Sequence, residues 1–318
     1  MYERITKSVK GSSGHNTILL VRSGSRSYGL EHEGSDWDAQ GVYVGELSRY
    51  FGYRDKSTQF SEKNTELNYE YTVHEVQRFF SLASECNPNI LEMLYVDEAD
   101  ILISNRMGWL LRDSRDLFLC GRARYSFAGY AMGQLKRIRT HRAWLLQPPT
   151  SKPQRSDFGL PNDTTLNHDT IVNIEAAMAD NATLIPAAVM EVWQTERRYQ
   201  NAKRGYEQYE SWKKNRNPRR AELERKFGYD THHAKHLVRL IISAKQLLSI
   251  GEFRVRLNDE DRKLVMSVYD GAMGFDQFLD MAQGMHDEVM SMDSVLPDRA
   301  NHEELDSLCA QIIRDTVG

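Results

Sequence analysis

The chain has little cysteine, no long apolar run and no excess of positive charge, and each shortage removes a class of protein. Its three cysteines, Cys86, Cys120 and Cys309, lie far apart in sequence and form no CxxC pair. That pattern argues against a disulfide framework or a cysteine-ligated zinc site, and for reduced thiols in a cytoplasm. No apolar stretch approaches the roughly 20 residues of a membrane helix. The opening MYERITKSVKG lacks the apolar core of a secretory leader, so a cytoplasmic chain without membrane contact is expected. With 41 Lys and Arg against 45 Asp and Glu, the formal net charge is -4. A nucleic-acid partner therefore requires basic residues concentrated in one region. What remains is a chain of 318 residues, 40% hydrophobic, long enough for one large or two modest domains.

The first hundred residues read as mixed α/β. NTILLVRS is a short apolar run ending in Gly24-Ser25, and DWDAQGVYVG is rich in β-formers. In LNYEYTV, Leu67, Tyr69, Tyr71 and Val73 alternate with Asn68, Glu70 and Thr72, the period of a strand. Val76, Phe79, Phe80 and Ala83 then fall at helical spacing, and Asn87-Pro88 starts another helix with Asn at N-cap and Pro at N1. Beyond about residue 105 strand signals nearly vanish. Helices are expected at 107–118, 121–146, 166–181, 184–215, 218–227, 231–250, 259–270, 274–293 and 302–316. The Pro/Ser-rich QPPTSKPQRSDFGLPNDTT around 147–165 is the candidate mobile loop. The expected fold is α+β: a small mixed-sheet module at 1–105, then a mainly α-helical module at 106–318.

Asp36 and Asp38 share one face of their strand, while Trp37 points to the other face, toward the core. Glu70 lies on the polar face of a later strand, so three acids can converge. Carboxylates packed together repel unless cations sit between them, and an oxygen-only set suits Mg²⁺ or Mn²⁺. Gly24-Ser25 adds a turn where the backbone can approach a ligand and its N–H groups can bind phosphate. Together these parts fit metal-assisted attack on a nucleoside triphosphate. Taken singly, Gly24 is also an ordinary hairpin turn and the aspartates ordinary solvated loop residues; their order and spacing favour the chemical reading.

Gly-Ser, a gap of ten residues (26 to 35) and Asp-x-Asp on a strand resemble the signature of the DNA-polymerase-β-like nucleotidyltransferase superfamily. More narrowly, GSRSYGLEHEGSDWDAQGVYV, EYTVHEVQRFF, NPNILEMLYV, SFAGYAMGQLKRI and NPRRAELERKFGYDTHHAKHLVRLI resemble the predicted nucleotidyltransferases associated with RNA-repair operons of bacteria and phages. The resemblance runs with gaps from about residue 15 to 300. It implies that Gly24 and Ser25 hold phosphate, that Asp36 and Asp38 bind metal, and that Glu70 is the third carboxylate, where the family more often has Asp. It also implies that Arg26, Ser27 and Tyr28 continue the turn toward the triphosphate or ribose.

The block from Asn87 to Glu92 matches a family motif. It reads either as a helix start alone or as one that also aims Glu92 at a basic residue or substrate. In GYDTHHAKHLVRLI, Asp230 or Thr231 caps a helix on which His232, His236 and Arg239 form one stripe and His233, His236 and Leu240 the next. No HExxH order and no nearby cysteine pair supports zinc, and packing is the reading from the residues alone. The resemblance of GYDTHHAKH to the family's GYD-x-K-H-A-x-H implies contact of His233, His236 and Arg239 with phosphate or nucleobase. The family commonly has Lys where His232 stands. Eleven basic residues from Arg197 to Lys226 are interleaved with Tyr199, Tyr206, Tyr209 and Trp212, as in surfaces that hold phosphates and stack bases. A second basic cluster runs from Lys136 to Arg142. The expected activity is transfer of an NMP from an NTP to a hydroxyl, most suitably of an RNA 3′ end held by the basic region. A protein or small-molecule acceptor and a non-catalytic nucleotide-binding regulator are the alternatives.

Overall fold

The computed structural model describes residues 1–318 except 12–14, 54–55, 164–167 and 180–185. Among the described residues five strands, β1 (His15–Ser23), β2 (Trp37–Gly45), β3 (Gln59–Asn64), β4 (Tyr69–Glu75) and β5 (Ile101–Ser104), form one mixed sheet in the order β3-β4-β2-β1-β5. β2 runs parallel to β4 and antiparallel to β1, while β3 and β5 are antiparallel edges. The helices are α1 (Tyr2–Gly11), α2 (Ser25–Tyr28), α3 (Leu47–Phe51), α4 (Val76–Ala83), α5 (Pro88–Tyr95), α6 (Arg106–Asp113), α7 (Ala123–Leu146), α8 (His168–Ala179), α9 (Ala187–Lys214), α10 (Pro218–Phe227), α11 (Thr231–Ile250), α12 (Asp259–Tyr269), α13 (Phe275–Ser291) and α14 (His302–Val317). Among the described residues no helix is long and apolar enough to cross a membrane.

Alternation along the strands decides what each face does. Ala39 and Tyr43 of β2 and Tyr69, Tyr71 and Val73 of β4 share a buried face with Leu20, Ile5 and Val9, the last two carried by α1. Side chains between them, Asp38 and Glu70 included, stand on the opposite face. Trp37 packs half-buried on that core, edge-on to Tyr2 at 5.0 Å. Burying each large apolar side chain contributes about 1.5–3 kcal/mol, so the alternation is strongly fixed and the carboxylates cannot exchange faces with the core.

The described residues form two compact units, one of 1–138 with 230–318 and one of 139–229. This grouping differs from a division at residue 105, because α4, α5, α6 and α14 pack on the strands and α11 packs on α12 and α13 within the first unit. Most expected helices are present with ends moved by a few residues. The run 107–118 becomes α6 plus a short 3-10 turn at Arg115–Phe118. Residues 166–167, 180–181 and 184–185 of the expected runs lie outside the described residues. The first unit also brings Cys86 and Cys120 together, with sulfurs 3.5 Å apart and both buried, a proximity that their sequence separation hides.

In the second unit, residues 155–158 of the expected loop form a 3-10 turn. Arg155 donates to both carboxylate oxygens of buried Glu196 at 2.8 Å, and Phe158 meets Tyr199 edge-on at 5.7 Å. This part of the stretch is thereby tied to α9; residues 164 and 165 lie outside the described residues.

Candidate active site

β1 ends at Ser23, which pairs with Asp38 on β2, so the turn at Gly24 begins beside that carboxylate. Gly24 adopts φ 69° and ψ -152°, a region essentially confined to glycine. A Cβ there would stand 2.4 Å from Asp38 Oδ2. The Ser27 hydroxyl donates to the Gly24 carbonyl at 2.9 Å and closes the turn into α2. Glycine is therefore required twice, by the backbone and by the neighbouring acid.

Asp38 and Glu70 are direct partners in the parallel register of β2 and β4. Asp36 lies exposed just before β2. Burial pushes the Asp38 carboxyl up to about 6, and the charges of Asp36 and Glu70 add to the rise, while Lys63 and Arg26 oppose it. Lys63, opposite Glu70 in the β3–β4 register, donates to it at 2.6 Å. Arg26 lies over the Trp37 ring at 3.6 Å and donates to the carbonyls of Ser35 and Asp36 at 3.0 and 3.1 Å. In this arrangement its guanidinium braces the loop that carries Asp36.

Beneath the turn lies a buried polar group of three. The Tyr28 hydroxyl donates to Glu92 Oε2 at 2.5 Å, Arg239 of α11 donates to Glu92 Oε1, and the guanidinium covers the Tyr28 ring at 3.8 Å. Burial and the Glu92 carboxylate push the Tyr28 phenol far above its usual range, while the Arg239 charge opposes them. Arg239 Nε is buried without a hydrogen-bond partner among the described residues. The Asn87 side chain accepts from the Asn89 N–H at 3.1 Å, and Glu92 binds a basic residue.

The α11 histidines divide. His233 is buried; its N–H donates to the capping Asp230 at 3.1 Å and its Nε2 lies 3.6 Å from the same carboxylate. His236 Nε2 lies 3.2 Å from His232 Nε2, so one ring donates and the other accepts. Burial, reinforced by the positive charges around it, holds His236 well below its usual value and thus neutral near pH 7. Lys235 is buried with its ammonium over the Tyr269 ring at 4.6 Å, and that ring stacks on His32 at 5.8 Å. Lys63, Lys235 and Tyr269 escape a sequence reading. Lys63 sits on an edge strand with almost no apolar pattern, and the other two stand among ordinary helical residues.

Residues 2–147, just under half of the chain, match the family model of RlaP, the RNA repair pathway DNA polymerase beta family. No curated protein matches the chain at a significant level. The matched stretch contains Gly24, Ser25, Asp36, Asp38, Glu70 and Glu92. The residues that build the carboxylate site thus lie within the stretch that matches the RNA repair pathway DNA polymerase beta family, the family that the sequence motifs resemble.

Proposed function

We propose that the chain is a divalent-metal-dependent nucleotidyltransferase that moves an NMP from an NTP to a hydroxyl at an RNA 3′ end. The observation that carries the reading is the meeting of Gly24, Asp38 and Glu70 where β1, β2 and β4 bring the glycine turn against two carboxylates. Asp36, Asp38 and Glu70 fit Mg²⁺ or Mn²⁺, because all donors are oxygens and the burial and mutual repulsion that raise the Asp38 carboxyl would be relieved by a cation. When bound, such cations neutralise the triphosphate and polarise its α-phosphate.

Gly24 and Ser25 hold the β,γ-phosphates, since no side chain at residue 24 blocks their approach. Glu70 takes the proton of the attacking hydroxyl, the new bond forms to the α-phosphorus, and its bond to the bridging oxygen breaks as pyrophosphate leaves. Arg26 fixes the Asp36 loop, and Glu92 and Arg239 fix Tyr28 below the turn. Arg239 Nε supplies a donor to the nucleotide. Neutral His236 contacts base or ribose by hydrogen bonding, and His233 orients α11 through Asp230. The basic region from Arg197 to Lys226 holds the RNA, with Arg197 over Trp193 and Arg216 over Trp212 supporting flat, cationic stacking surfaces.

The test offers each NTP, labelled on the α-phosphate, with Mg²⁺ or Mn²⁺ and cellular RNA. Label should move to RNA with release of pyrophosphate, and Asp36→Asn or Asp38→Asn should abolish transfer while the fold survives. Full activity in either variant overturns the mechanism. Label on protein or a small molecule overturns the acceptor, and nucleotide binding without pyrophosphate release identifies a regulator.

A further inference from the structure

The second unit, residues 139–229, carries 15 Lys and Arg against 11 Asp and Glu, a formal charge of +4. The whole chain stands at -4, so the other unit carries 26 basic against 34 acidic residues, or -8. Nothing in overall composition reveals this polarity; it follows from where the chain divides. Within the positive unit lies a cavity of about 770 Å³ between the end of α7 and α10. That size suits a small ligand or one nucleotide unit.

The lining combines two chemistries. Leu145, Leu146, Pro218 and Ala221 give apolar walls, and Leu146 is 64% exposed. Arg216 and Arg225 give cations, and Glu222 gives an exposed carboxylate. Arg216 lies over Trp212, its guanidinium carbon 4.8 Å from the ring centroid, and donates to buried Glu224. Trp212 is itself packed on His141, Trp144 and Tyr209, with centroids 5.3–6.0 Å apart. The guanidinium is thus held in place between an aromatic ring and a carboxylate. An unstacked nucleobase needs apolar and planar surfaces for its faces, cations for its phosphates and an acceptor for its exocyclic amine. A purely acidic partner needs neither the apolar walls nor the carboxylate.

We propose that this groove is a single-nucleotide pocket for single-stranded RNA, with the base between the apolar wall and the Arg216 plane, Arg225 on a flanking phosphate, and Glu222 accepting from an exocyclic amine. The inference rests on RNA being the acceptor and names where on the chain one of its nucleotides is held.

Binding of a short fluorescent oligo(A) RNA to the full chain tests it, read by anisotropy in a background of Asp36→Asn that prevents turnover. Arg225→Glu and Leu146→Asp should each weaken binding by about tenfold, the lower end of the worth of one stacked base. Lys263→Glu makes the same charge change as Arg225→Glu at an exposed site of the other unit, and should weaken binding less than about twofold. Both groove residues are exposed, and thermal melting checks that the variants fold. The proposal is overturned if the chain binds no RNA, if all three variants behave alike, or if polyphosphate of matched charge displaces the RNA as well as unlabelled oligo(A). Groove-dependent RNA binding, with no pyrophosphate release from the chain that keeps Asp36, would sustain this inference and remove the transferase reading. Release of pyrophosphate without groove-dependent RNA binding would do the reverse.

Discussion

Replacing Gly24 by Ala strikes the account where backbone and chemistry meet. The Cβ would lie 2.4 Å from Asp38 Oδ2, against ordinary contacts of 3.4 Å and beyond, so the carboxylate must retreat by about 1 Å or the turn must open. The backbone at φ 69° and ψ -152° adds about 1–3 kcal/mol of strain for a residue with a Cβ. At about 2–4 °C per kcal/mol for a large domain, the melting temperature should fall by several degrees. A displacement of about 1 Å in a reacting constellation costs about a hundredfold in rate, so pyrophosphate release should fall by that order. Gly159→Ala is the matched control. Gly159 also has φ 70°, yet a Cβ there meets nothing within 4 Å, so the variant should lose about 1 kcal/mol of stability and keep its rate. Full-rate transfer by Gly24→Ala, or equal loss in the two variants, would refute the link between the turn and Asp38.

Asp38→Asn should stabilise the metal-free chain near neutral pH while removing activity. The folded carboxyl keeps its proton up to about 6 and the unfolded one releases it near 3.8, so the folded state loses stability as pH rises through that interval. The variant's gain in melting temperature should therefore be present at pH 7 and vanish near pH 4, and Mg²⁺ should raise the melting temperature of the native chain more than that of the variant. Glu92→Gln should cost about 3 kcal/mol or more in chemical denaturation, because it leaves Arg239 buried without its counter-charge. Glu92→Gln combined with Arg239→Met should cost less than the sum of the single changes; simple additivity would mean that the pair is not coupled.

How much was legible in sequence depended on whether a residue's signal was local. The β4 alternation, the Asn87-Pro88 cap and the helices of the last two hundred residues declare themselves through period and capping. β3 does not: QFSEKN holds one aromatic residue, and its core-side Glu62 is satisfied by hydroxyls of Ser8, Tyr69 and Tyr71, groups distant in sequence or on a neighbouring strand. With β3 unseen, Lys63 could not be placed opposite Glu70. β5, only four residues long, carries too little pattern to register, and α1 precedes the first motif. At the site, spacing and family resemblance pick out Gly24, Ser25, Asp36, Asp38 and Glu70. Spacing cannot tell that Arg26 braces a loop from the face of Trp37, or that Glu92 joins Tyr28 to Arg239 across 147 residues. Those are facts of packing between distant segments.

Nucleotide transfer is proposed to take place at the Gly24–Asp38–Glu70 cluster. It is tested most directly by following α-labelled NTP in the presence of RNA, for the native chain and Asp38→Asn side by side, with Mg²⁺ and with chelator. Pyrophosphate release and labelled RNA are expected for the native chain with Mg²⁺ alone. Label transfer that persists in Asp38→Asn, or that ignores the chelator, would contradict it.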